Sequence, residues 1–594
     1  MNHDRSFMRY VAGALLAGSL SCLAACQPSA QPSSSGTPAS SAAAPGPNVP
    51  TQAAPTDVVA DSTATAFDGA PAVSAAAGTE PADVPAVPSE TPLASAPASA
   101  SDPAAASQPA SEDRPPVTNA LRASDQASVG ETPHRESLFE GWSAPQFALF
   151  ITGQQAGYIE PCGCTGLTNQ KGGLARRQSL HRQLKERGWP LVAVDVGNQV
   201  RRFGRQGEIQ FQVSAEALKQ MGYQAIALGV DDLRLSVGEL AAVTLASDGG
   251  ATPFVSSNAA VLDRELTPTY QVIEAGGRRI GVTSVVSSSL QAKIISSEIV
   301  LTSPEDGLKA VVPKLKEARC DLLVLLAQAS VAESQELARK FPDFHVVVTS
   351  GGTGEPRWQP ELVPDTKTVL IEVGLKGMFV GVLGFFDDSQ TPWRYQRVPL
   401  DARFADSPDM LKLLASYQQQ LESLGLDGLG VSPLPHPSGN RFVGSEKCGE
   451  CHTEAMAKWE ESRHAHAFDS LVHPPERSQI ARHFDPECLS CHVTGWDPQR
   501  MFPYTSGFLS AEQTPALKNT GCENCHGPGS AHVASQEGDA SADEKLRASV
   551  GMRLRLSDAQ KKCEECHDLD NSPNFHAAGA FEKYWKQVEH KGLD

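Results

Sequence analysis

Cys522-Glu-Asn-Cys525-His526-Gly-Pro-Gly-Ser-Ala-His532 is the stretch from which the last quarter of this 594-residue chain can be read. Two thiols three positions apart reach the two vinyl groups of one haem as thioethers, and the imidazole beside the second thiol reaches the iron from the same face. The same spacing recurs at Cys448-Gly-Glu-Cys451-His452, Cys488-Leu-Ser-Cys491-His492 and Cys563-Glu-Glu-Cys566-His567. Zinc held by paired thiolates requires no histidine after each pair, and all four pairs here have one. The chain therefore reads as a carrier of four covalently attached haem c groups, with His452, His492, His526 and His567 as proximal iron ligands.

Each iron takes a second axial ligand, and twelve of the sixteen histidines lie from His436 onward. Trp459-x-x-Ser462-x-His464-Ala465-x-Ala467 follows the first motif, His532 closes the third, and Tyr584-Trp585-x-x-x-x-His590 follows the fourth. Over roughly Phe442 to Gly592 these motifs resemble the tetrahaem cytochrome family typified by the electron carrier that serves hydroxylamine oxidoreductase. The resemblance implies a mostly helical, haem-packed domain in which His464, His532 and His590 are distal ligands, and it allows one haem of four to lack one. His466, His473, His483 and His576 match no position of that family and stay open as distal ligands. Eight haem propionates would add negative charge, so partners docking at the haem edges are expected to present positive surface.

Upstream, Phe147–Ile151, Leu191–Asp195, Ala225–Leu228, Ile280–Val285, Asp321–Leu326 and Phe344–Val348 are apolar runs of strand length. They alternate with amphipathic stretches at Leu174–Arg187, Ser214–Met221 and Glu305–Arg319, which predicts a layered α/β domain. Ser407-Pro408 starts a further helix with Leu411, Leu414, Leu421 and Leu424 at helical spacing, and prolines 433, 435 and 437 separate it from the haem motifs. The expected organisation is multidomain: signal peptide 1–25, tether 26–141, α/β domain 142–405, helix and Pro-rich connector 406–440, and haem domain 441–594.

The order of the α/β segments resembles the calcineurin-like metallophosphoesterases of the periplasmic nucleotidase branch. That family holds two metal ions with Asp and His at the strand ends, whereas this chain has Ile151-Thr152-Gly153, Gly197-Asn198, Gly229-Val-Asp-Asp232, Ala327-Gln328 and Ser350-Gly-Gly-Thr-Gly354 at those places. Val, Gln and Thr cannot replace carboxylates and imidazoles as ligands of divalent metals. The resemblance thus implies a degenerate phosphoesterase. A second candidate site is Cys162-Gly-Cys164 with Arg176-Arg177. The two thiols are too close for an unstrained disulfide with each other, but suit a soft metal or redox exchange, and the arginines suit an anion. Free thiols and solvated charges are the alternative reading. Cys320 reads as a core thiol.

Arg5 and Arg9 precede an apolar run from Tyr10 to Ala25, too short for a bilayer span and suited to a secretory signal. Leu23-Ala24-Ala25-Cys26 at its end resembles a bacterial lipobox, which implies lipidation of Cys26, and Gln27 favours the outer membrane. Residues 27–113 hold nine acidic side chains, no Lys or Arg and a single aromatic, Phe67, so the stretch reads as an unfolded tether. The chain carries 50 Lys+Arg against 69 Asp+Glu, a formal charge of −19, which argues against a nucleic-acid partner. The expected function is electron transfer between redox partner proteins on the periplasmic face of a membrane. Two other readings are reduction of a small nitrogen compound at a five-coordinate haem and nucleotidase-type hydrolysis.

Overall fold

Phe147–Thr152 is buried along its whole length, which is how a strand covered on both faces behaves. Its side chains alternate between two destinations. Phe147, Leu149 and Ile151 face a second sheet, while Ala148 and Phe150 face helices. The computed structural model that shows this describes residues 137–161, 170–246, 250–352, 354–474, 478–569 and 571–591. The signal segment, Cys26, most of the expected tether, and Cys162 with Cys164 lie outside the described residues.

Two six-stranded sheets form the α/β domain. In the first, Phe147–Thr152, Leu191–Asp195, Ala225–Ala227 and Phe254–Val255 run parallel, and Phe379–Phe385 with Trp393–Pro399 extend the other edge antiparallel. The second sheet is ordered Glu361–Leu362, Val369–Glu372, Val346–Thr349, Leu322–Gln328, Arg278–Val286 and Gln271–Ala275. Leu149, Val192 and Val194 of the first sheet pack on Val282, Val324 and Val348 of the second. The outer faces are covered by helices, Leu174–Glu186 and Arg205–Met221 on the first and Pro304–Glu317 and Val331–Lys340 on the second. The result is a helix–sheet–sheet–helix stack, with the carboxyl ends of the central strands, at Thr152, Asp195, Gln328 and Thr349, carrying the loops expected to matter.

Three features depart from the expected outline. Arg205–Met221 starts nine residues earlier than Ser214, because Ile209 and Phe211 are buried in the same core. The strands Phe379–Phe385 and Trp393–Pro399, beyond the six expected, complete the first sheet. The helix expected as a connector, Pro408–Gly428, buries Met410, Leu414, Tyr417 and Leu421 in the core beneath the first sheet's helices. Leu424 stays exposed, and the helix is broken at Gly425, whose φ of 60° is a left-handed value that suits glycine.

The C-terminal region is built from short helices and has a small apolar cluster of its own: Phe468, Leu471, Leu489, Val493, Trp496, Phe508 and Leu517. No helix among the described residues is long and apolar enough to cross a membrane.

His181 is buried beside Phe150, with ring centroids 5.2 Å apart. Burial, aided by the Lys185 charge, lowers its pKa to about 4. The unfolded chain takes up this proton near pH 6.5 and the folded chain only near 4, so stability is lost as pH falls through that window. Replacement by Gln is expected to remove about 3 kcal/mol of that loss, read from urea unfolding at pH 7 and pH 4. Identical pH dependence in the two proteins would refute the assignment.

Candidate haem-attachment centre

Each Cys-x-x-Cys-His stretch folds as a helical turn. Pro486–His492 and Cys522–His526 are helices, and in the fourth motif Cys566 N and His567 N donate to Cys563 O at 3.2 and 2.9 Å. In the first, Cys451 N and His452 N donate to Cys448 O at 3.3 and 3.0 Å. Positions i, i+3 and i+4 share one face of a helix, so both thiols and the imidazole point the same way. All eight thiols are unbridged, and Cys451 is the exposed one.

The helices are brought together by groups that the sequence reading did not single out. Glu523, between the two cysteines of the third motif, is buried, and its carboxylate accepts N–H bonds from Val443, Gly444 and Gly529 at 2.7–3.0 Å. Burial pushes its pKa up against those bonds. Ser445 Oγ accepts from Cys522 N at 3.1 Å. The third motif is thereby fastened to the first, and the Cys448 and Cys522 thiols are close enough to perturb each other's ionisation. The same holds for Cys491 with Cys566, and for Cys525 with Cys563. The attachment cysteines thus form one run, in the order first, third, fourth, second motif.

Three pairs of imidazoles face one another. Ring centroids lie 6.2 Å apart for His452 and His532, 6.1 Å for His464 and His567, and 5.8 Å for His526 and His590. A metal–imidazole bond is about 2.0 Å, and two such bonds plus the two ring radii separate centroids by about 6 Å. The rings therefore fit an iron atom between them. His532 Nδ1 adds a buried nitrogen without a hydrogen-bond partner. The Nδ1 atoms of His492, His526 and His567 are engaged by Ala467 O at 2.8 Å, Met552 O at 2.7 Å and Ser572 Oγ at 2.9 Å, which leaves Nε2 for a metal. His590 Nδ1 is likewise held by Val588 O at 2.8 Å. Burial, with His567 and His492 nearby, lowers the His464 pKa to about 4. Burial also lowers those of His526, His532 and His567. At neutral pH these rings are uncharged, as a ligand nitrogen must be.

The four histidines left open fall outside these pairs. His576 Nε2 donates to the backbone oxygen of His567 at 2.7 Å, so that nitrogen braces the fourth motif instead of meeting an iron. His483 lies against Phe484 and Phe468, with centroids 4.0 and 5.8 Å away. His466 and His473 are exposed.

In the α/β domain, Arg176 and Arg177 are buried, which corrects their reading as groups available to an external anion. Arg176 donates to Gln170 O at 2.7 Å and Leu400 O at 3.3 Å. Arg177 donates to Gln155 Oε1 and lies 3.6 Å from the buried Asp195 carboxylate. Asp195 also accepts from Thr152 Oγ1 at 2.5 Å and Gln199 Nε2 at 2.7 Å. Asp232 accepts backbone N–H bonds from Asn198, Gln199, Val200 and Gly229, and burial pushes it up to about 7. Gln154 donates to Ser350 O at 2.8 Å and accepts from Asn198 Nδ2 at 3.0 Å, while Gln328 Nε2 donates to Val196 O at 2.5 Å. The strand ends are tied to one another by amides and a guanidinium. Among the described residues no group of three or more His, Cys, Asp or Glu is placed to hold a metal ion.

Residues 447–527 match the family model described as cytochrome c554 and c-prime. The chain is 28% identical over 166 residues to cytochrome c-554 of Nitrosomonas europaea, covering 25% of this chain and 68% of that protein. The C-terminal region is thus similar to multihaem c-type cytochromes, whose chemistry is that of covalently bound haem c. The middle of the chain is similar to phosphoesterase structures. A 5'-nucleotidase precursor from Thermus thermophilus aligns with TM-score 0.41 and 20% identity, over 47% of this chain and 59% of that one. A calcineurin-like phosphoesterase from Bacillus subtilis aligns with TM-score 0.34 and 13% identity, over 46% of this chain and 97% of that one. The chain therefore spans about three fifths of the first of these structures.

Removing one partner of a buried ion pair typically costs about 3–5 kcal/mol. Arg177→Met is expected to lower the unfolding free energy by that order, measured by urea denaturation. A loss under about 1 kcal/mol would show that Arg177 is not the counter-ion of Asp195.

Proposed function

We propose that the chain is a four-haem c-type cytochrome that relays single electrons between partner proteins at the periplasmic face of a membrane, anchored by lipid on Cys26. The observation that carries this reading is the three facing imidazole pairs, each combining the histidine of a Cys-x-x-Cys-His motif with a histidine distant in sequence. Haem, when bound, supplies the ferric/ferrous couple. His452, His492, His526 and His567 would hold the irons as the motif histidines, and His532, His590 and His464 would be the second ligands for the first, third and fourth motifs. An iron held by both imidazoles of a pair would have no open position, which favours electron transfer over substrate chemistry at these three. The hydrogen bonds on the Nδ1 atoms fix ring orientation and so hold ligand geometry constant between oxidation states.

Intact mass and pyridine haemochrome assay are expected to give four haems per chain. His532→Ala should convert one haem from low to high spin in the EPR spectrum while haem content stays at four. An unchanged low-spin population would overturn the ligand assignment. Cys26→Ser is expected to move the protein from the membrane pellet to the soluble fraction, and continued sedimentation with membranes would count against the lipid anchor.

A further inference from the structure

The α/β domain holds the haem region through residues 478–487, the segment that leads directly into Cys488, and through Met501 nearby. Arg482, only 6% exposed at its side chain, is held by Glu160, with Nε and Nη2 donating to the two carboxylate oxygens at 2.6 and 2.5 Å. Asp485 is the N-cap of the Pro486–His492 helix, and its carboxylate accepts Glu487 N at 2.9 Å. The same carboxylate accepts Gln206 Nε2 at 2.7 Å from the helix Arg205–Met221, and Gln418 Nε2 at 3.2 Å and Tyr417 OH at 3.4 Å from the helix Pro408–Gly428. Gln206 and Gln210 in turn donate to the Tyr417 hydroxyl. Arg202 pairs with Glu487 at 3.2 Å and lays its guanidinium against Met501 Sδ. Ile480 and Phe484 pack on the apolar core of the α/β domain. Beside this seam a cavity of about 350 Å³ is lined from the α/β side by Arg201 and Arg202 and from the haem side by Glu487, Ser490, Cys491 and Asp568, among others.

Such contacts do more than join two domains. An N-cap carboxylate fixes where a helix starts and how it is aimed, and here the helix is the one carrying Cys488, Cys491 and His492. A carboxylate in a low-dielectric seam also acts on nearby charge far more strongly than one in water, and burial pushes Asp485 upward despite its four partners. A haem gains negative charge when reduced, so the charges frozen at this seam would act most strongly on a haem attached to the adjoining helix.

We propose that the degenerate α/β domain is the positioning element for the haem attached at Cys488 and Cys491: through Asp485, Gln206 and the Arg202–Glu487 pair it aims the attachment helix and sets the reduction potential of that haem from across the domain seam. Asp485 and Gln206 are positioning residues in this account. The proposal rests on the reading of this motif as a haem site.

The test uses the full-length haem-loaded protein with Gln206→Leu, which lies in the α/β domain and leaves the N-cap intact, and with Asp485→Asn. Haem content is measured first, and potentials are then resolved haem by haem in an EPR-monitored redox titration. Four haems per chain, with the potential or g-values of one haem moved and the other three unmoved, is the expected result. If Asp485→Asn fails to accumulate, Gln206→Leu alone carries the test. Four haems with all potentials unchanged, or all four shifted together, would overturn the proposal. Fewer than four haems in the unsubstituted chain would instead overturn the haem reading beneath it.

Discussion

Everything in the C-terminal region depends on a covalent constraint imposed over five residues. A helical turn that points two thiols and an imidazole in one direction can be written in a short sequence, but it has no apolar face to bury. The seven-residue cluster around Phe468 and Trp496 is small for a region of about 150 residues, and small domains usually need covalent or metal staples. What holds the motif helices in place is polar: the Glu523 carboxylate under Val443, Gly444 and Gly529, the Ser445 hydroxyl under Cys522, and backbone oxygens braced by histidine nitrogens. This framework sets attachment points, and haem macrocycles held there would supply the missing apolar filling.

The α/β domain obeys a different rule. Its core is continuous apolar packing between two sheets and two helical layers, and its buried polar groups gather at the carboxyl ends of the central strands. Arg177 beside Asp195 puts a fixed organic cation among carboxylate, hydroxyl and amide groups. The guanidinium there ties Gln155 and Asp195 together. The same domain directs its surface polar groups to the segment before Cys488, where Glu160, Arg202, Gln206 and Gln418 all find partners.

Much of this was legible in the sequence, for identifiable reasons. Strands covered on both faces read as unbroken apolar runs, and the six expected at Phe147 through Val348 are present. Phe379–Phe385 escaped notice because Gly381 and Gly384 interrupt its apolar run, and Trp393–Pro399 because arginines at 394 and 397 make it look exposed. Arg397 is nevertheless buried, stacked over Trp358 at 3.6 Å. Arg176 and Arg177 misled in the same way: two adjacent arginines look solvated unless their counter-charges, here far away in sequence, are known. The connector helix misled because its buried face includes Met410 and Tyr417, which a leucine-based reading skipped. Histidine roles were separable only in part. The number of histidines is visible in the sequence, but the side from which Nε2 of His576 is already satisfied is not.

The facing imidazoles also bear on how the region stays folded. His452 and His532 are 80 positions apart, His464 and His567 are 103, and His526 and His590 are 64, by subtraction of their numbers. An iron bound by both members of a pair closes a loop of that size just as a disulfide would. In the chain-entropy picture, a cross-link closing a loop of about 100 residues is worth about 4.7 kcal/mol, and shorter loops somewhat less. Three such closures, each overlapping the other two along the chain, would leave the denatured region with few accessible conformations. The ligands would then serve as stitches as well as redox groups, and loss of one would loosen distant stretches of chain together.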